Sequence, residues 1–140
     1  MKKKLLIPLF LLLFALLLVL GLLLYQNYRV KYQYKEQVAQ YLESQNPSGL
    51  LVHSDLVSYL KKHKKELNLV TNHQDLNAFI NEESSNFDQV QAQLEDASIN
   101  YVVVKRTKAK DLKTNQEIYL LGICHWTEVY SNQEYAVLKK

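Results

Sequence analysis

Residues 5–24 read LLIPLFLLLFALLLVLGLLL, twenty residues without a single charge, and they follow directly on Lys2, Lys3 and Lys4. At a rise of about 1.5 Å per residue, a helix of this run reaches roughly 30 Å, the thickness of a bilayer's hydrocarbon core. The run therefore predicts a chain tied to a membrane, and it leaves only the remaining residues to fold in water.

A cleavable secretory signal has an apolar part of about 7 to 15 residues that ends in a small-x-small site. This run is longer and leaves through Gly21-Leu22-Leu23-Leu24-Tyr25-Gln26-Asn27-Tyr28, which offers no such site and no cysteine to take a lipid. An uncleaved signal-anchor bounded by Leu5 and Leu24 is the expectation. Pro8 falls in the first turn, where its missing N–H adds no orphan group. Lys and Arg are retained on the cytoplasmic side of such segments. The lysines at 2–4 are more concentrated than Arg29, Lys31 and Lys35 on the far flank. That bias predicts residues 1–4 as a cytoplasmic basic tail, 5–24 as the transmembrane helix and everything after it outside. Tyr25 and Tyr28 then lie at the outer interface, where a ring with one wet end is at home.

Removing the three anchor lysines from the 17 basic residues leaves 14 in residues 25–140, equal to the 14 acidic ones, so the exported part is neutral. The charges are nevertheless sorted along the chain. Lys61, Lys62, Lys64 and Lys65 form one basic cluster. Glu66, Asp75, Glu82, Glu83, Asp88, Glu95 and Asp96 follow without an intervening Lys or Arg, and Lys105, Arg106, Lys108, Lys110 and Lys113 form a second basic cluster. Such sorting steers a charged partner, although charge runs are more often plain solvated faces. The exported length suits one compact domain. One cysteine, Cys124, excludes an intramolecular disulfide framework and a four-cysteine zinc site. The absence of an N-x-[ST] sequon and the abundance of Asn and Gln suit a bacterial envelope protein.

Residues 25–45 contain no Pro or Gly, and Tyr34, Val38, Tyr41 and Leu42 repeat as i, i+4, i+7, i+8, one face of a helix. This predicts a juxtamembrane stalk helix over 25–45, stopped by Asn46-Pro47-Ser48-Gly49. A small extracytoplasmic domain is expected over 50–140. Ser54 is placed to cap a helix burying Leu56, Tyr59, Leu60 and Leu67. Thr71 and Gln74 have capping-box spacing before Leu76, Phe79 and Ile80, and Ser85 with Asp88 starts a helix carrying Phe87, Val90, Leu94 and Ala97. From Ile99 the pattern changes to β-branched and aromatic residues. It predicts strands at 101–104, 117–130 and 134–138, the middle one long, with Ser131-Asn132-Gln133 as the turn. The expected class is α+β: a transmembrane helix extended into a stalk, then about three helices on a three-stranded antiparallel meander. In outline this order resembles the periplasmic cone-shaped domains of secretion and conjugation accessory proteins; the likeness is one of shape, and no motif carries it.

Few residues promise chemistry. Cys124 and His125 would point to opposite faces of a strand and could not act together, so a core cysteine is the expectation. His53, His63, His73 and His125 show no metal-ligand spacing, and three glycines leave no phosphate-cradling loop. No cofactor or metal is expected. The preferred expectation is a non-enzymatic single-pass envelope protein that binds another membrane or envelope component of secretion, conjugation or phage-exclusion type. Tyr32, Tyr34 and Tyr41, the aromatic side of the long strand with Trp126, and the basic connector Lys105, Arg106, Lys108, Lys110 and Lys113 would form its contact surface. The connector suits headgroups or an anionic surface polymer; without interleaved aromatics it does not suit nucleic acid. The alternative is a small envelope hydrolase using His125 with acids from the helices.

Overall fold

The computed structural model describes residues 3–81, 87–106 and 113–140. Among them the chain is α+β, with five helices and a four-stranded mixed sheet, and it divides into two compact units, Met1–Gln33 and Tyr34–Lys140. The described residues of the first unit, 3–33, are all helical. They belong to α1 (Lys3–Gln45), an uninterrupted helix that tolerates Pro8. By length and composition this helix can cross a membrane. From Leu9 to Leu24 its large apolar side chains are 52–71% exposed among the described residues.

The second unit is built on the sheet β1 (Leu50–Val52), β2 (Tyr101–Lys105), β4 (Tyr135–Lys139) and β3 (Thr127–Ser131), in that spatial order. β1 runs parallel to β2, whereas β2–β4 and β4–β3 are antiparallel. Side chains alternate across a strand, and here both sides are apolar. Leu50, Val52, Tyr101, Val103, Tyr135 and Val137 face one layer, where Val38, Ala39 and Leu42 of α1 meet Leu56 and Leu60 of α2 (Ser54–His63). Leu51, Val102, Val104, Ala136 and Leu138 face the other. That layer holds α3 (Gln74–Ile80), α4 (Phe87–Asp96) and α5 (Asn115–Gly122), through Phe79, Leu94 and Leu120 among others. Between α2 and α3 the chain passes around β1. Leu50 N–H donates to the Asn68 carbonyl at 3.0 Å and Val70 N–H to the Leu50 carbonyl at 2.8 Å, so that edge is covered.

Three expectations are corrected. Residues 34–45 are not a stalk: Val38, Ala39 and Leu42 are 0% exposed, and this part of α1 is a core helix of the domain. The apolar stripe was correctly helical, and such a stripe outside lipid must be covered by protein. The long strand over 117–130 is two elements. Thr114 Oγ1 accepts from Glu117 N–H at 3.1 Å and starts α5, and only Thr127–Ser131 is strand. The three-stranded meander is instead a mixed sheet in which β4 lies between β2 and β3, and Leu50–Val52 supplies a fourth strand. Smaller shifts accompany these. His53, not Ser54, caps α2, its Nδ1 accepting from Asp55 N–H at 3.2 Å, and α3 begins at Gln74 with no side-chain cap at all. Ser85 and the acids Glu82 and Glu83 lie outside the described residues.

Candidate functional site

Two charged clusters and one basic concavity sit on this frame. The first cluster joins the end of β2 to α5 and β3. Arg106 Nη2 donates to Glu117 Oε1 at 3.0 Å and to Glu128 Oε2 at 2.9 Å, and Ser131 Oγ donates to Glu128 Oε1 at 2.8 Å. Glu117 is 0% exposed, a buried carboxylate whose neutralising partner is Arg106. The Glu117 hydrogen bond raises the Arg106 guanidinium's hold on its proton, against the opposing effect of burial. Burial pushes the Glu128 carboxyl up, but Ser131, Glu117 and the Arg106 charge outweigh it and hold the group below the usual carboxylate range.

The second cluster sits where α1, α2 and β2 meet. Lys105 Nζ pairs with Asp55 Oδ2, and Lys35 Nζ donates to the Asp55 carbonyl at 2.8 Å. Burial would raise the Asp55 carboxyl, yet the Lys105 hydrogen bond and charge hold it low. Tyr135 is fully buried, and among the described residues its hydroxyl has no hydrogen-bond partner; burial, with the Asp55 charge, pushes its pKa up.

Both clusters consume the cations that the sequence offered as a contact surface. Lys105 and Arg106 are committed to Asp55, Glu117 and Glu128; Lys113 is exposed; Lys108 and Lys110 lie outside the described residues. The aromatic candidates divide likewise. Tyr34 Oη donates to Gln133 Oε1 at 2.6 Å, and Asn132 Nδ2 donates to the Tyr34 carbonyl at 3.0 Å, so the β3–β4 turn is tied to α1. Tyr41 stacks on Tyr130 with ring centroids 4.7 Å apart. Trp126 is 5% exposed within the layer of α3, α4 and α5. Tyr25, Tyr28 and Tyr32 remain 64%, 69% and 38% exposed on α1.

Cys124 and His125 lie in the turn between α5 and β3, not in a strand. Burial raises the half-buried Cys124 thiol's pKa. His125 is exposed in a left-handed conformation, φ 56°, and makes no hydrogen bond or ion pair among the described residues. Those residues also hold no group of three or more His, Cys, Asp or Glu side chains arranged to take a metal.

The concavity opens between the ends of α1 and α2. It has a volume of about 270 Å³, and Lys62, His63, Lys64 and Lys65 line it together with Glu43 and Glu66. Lys64 pairs with Glu43, and its N–H closes α2 on the Leu60 carbonyl at 2.7 Å. No sequence pattern pointed to Glu43 as the partner, because the pairing depends on α2 lying along α1. No protein-family model, curated protein or solved structure matches the chain.

Proposed function

We propose that this chain is a single-pass protein of the bacterial envelope, with its lysine tail in the cytoplasm and its α+β domain outside, and that it acts without catalysis as a binding accessory to another membrane or envelope protein. The observation that supports this is the helical run from Leu9 to Leu24, whose large side chains are 52–71% exposed and demand an apolar solvent. Tyr25 and Tyr28 are the interfacial residues of that helix in this reading. Confinement to the membrane surface raises the encounter rate with a membrane partner, so a small interface suffices.

Tyr34 and Tyr41 are half-buried and engaged with Gln133 and Tyr130, which makes Tyr25 and Tyr28, 64% and 69% exposed, the better probes. A photo-crosslinking residue at either position should trap one discrete membrane protein in cells. Recovery of lipid adducts and monomer alone at both positions would refute the partner.

A further inference from the structure

We infer that the concavity at the end of α2 is a binding site for a linear polymer bearing repeated phosphates, that Lys62 and Lys65 hold it there, and that Lys61, next to them on α2, takes a phosphate just outside the recess. The inference deepens the envelope-binding reading by naming a ligand class, and it rests on that reading for its location outside the membrane.

The first observation is where free positive charge survives folding. Lys35, Lys105 and Arg106 are committed within the domain, and Lys64 is spent on Glu43. Lys61, Lys62 and Lys65 make no hydrogen bond or ion pair among the described residues, and all three are exposed. They are the one place in the described domain where three such cations fall within five residues. Part of their charge complements the C-terminal end of the α2 dipole, which accounts for one or two lysines in a last turn but not for Lys65 beyond it.

The second observation is that Lys62 and Lys65 line a shaped recess, with Glu43 and Glu66 as its acids, while Lys61 precedes Lys62 on the exposed side of α2. The Lys64–Glu43 pair, the Lys64 cap on Leu60 and the Leu67 N–H donated to the Lys64 carbonyl at 3.2 Å fix the turn that carries them. The recess of about 270 Å³ admits several ligand groups at once.

The chemistry of the side chains selects the ligand. Arginine is absent from the cluster, so the planar fork that reads a carboxylate in two-point fashion is missing; lysine ammoniums act as point charges and suit phosphate oxygens from any direction. Multiplicity selects a polymer over headgroups: three free cations within five residues can be met by successive phosphates of one chain, whereas a lipid headgroup of the common kind brings a single phosphate.

The test uses the full chain in nanodiscs of purely zwitterionic lipid, titrated with fluorescent inorganic polyphosphate. Wild type should bind, with affinity falling about tenfold or more between roughly 50 and 200 mM salt, as expected for a few phosphate contacts. The triple variant Lys61→Gln, Lys62→Gln, Lys65→Gln should bind at least tenfold more weakly while its circular-dichroism melt stays that of wild type. Lys113→Gln should change neither. Equal binding by the triple variant, no binding by wild type, or association that needs anionic lipid in the disc would each overturn the inference. Failure of the membrane reading looks different: the chain would stay outside the discs, and the same titration would then be read on that soluble protein.

Discussion

Individual side chains carry much of the domain's specificity. α4 ends in a Schellman motif: Ile99 N–H donates to the Leu94 carbonyl at 3.3 Å and Ser98 N–H to the Glu95 carbonyl at 3.2 Å, with Ser98 at φ 53°. A left-handed residue with a Cβ costs roughly 1 kcal/mol that glycine does not incur. Ser98→Gly should therefore raise the unfolding free energy read from a urea titration, by up to about 1 kcal/mol. Arg106→Ala acts oppositely, because it leaves the Glu117 carboxylate buried without a counter-charge. A loss of about 3 kcal/mol is expected from the same measurement, and Glu117→Gln, which removes the buried charge, should cost less. Asp55 and Glu128 set the acid limit. Their pKa values are lower folded than unfolded, so their contribution is present above about pH 4 and is lost as pH falls through the folded values. Asp55→Asn should flatten that acid decline, by at most about 1 kcal/mol because the Asp55–Lys105 pair is more than a third exposed.

At the scale of elements, the sequence revealed what is local. The stripe of Tyr34, Val38, Tyr41 and Leu42 announced a helix, and Tyr101–Val104 announced a strand; both are present. It misled where short apolar runs are ambiguous. Ile118-Tyr119-Leu120-Leu121 fits a buried strand or a buried helix equally, and the overlooked discriminator was Thr114 three residues before Glu117. β1 was illegible because a three-residue strand exists only through its partner: Leu50, Leu51 and Val52 pair with Tyr101, Val102 and Val103 across about fifty residues of intervening chain. The charged clusters were hidden for the same reason, since Asp55–Lys105 and Arg106–Glu128 join elements remote in sequence. Two substitutions test the element account. Leu42→Ala should cost about 2–5 kcal/mol as a core truncation, whereas a solvated stalk would register almost nothing. Gly49→Ala should cost about 1–3 kcal/mol, because a Cβ there runs into the Ser98 carbonyl oxygen beside the Asn100 and Tyr101 N–H bonds to the Gly49 carbonyl.

For the whole molecule, the proposed function asks one chain to satisfy two solvents. Residues 34–140 bury an apolar layer on each side of one sheet, as a water-soluble domain must, while Leu9–Leu24 bury nothing. The most direct measurement combines the amino-terminal sequence of the protein recovered from the cytoplasmic membrane with a compartment-sensitive reporter fused after Lys140. The account predicts that residues 1–24 are still present, that alkaline washing does not release the chain, and that the reporter is active only outside the cytosol. A mature protein beginning after Leu24, or a reporter active in the cytosol, would contradict it.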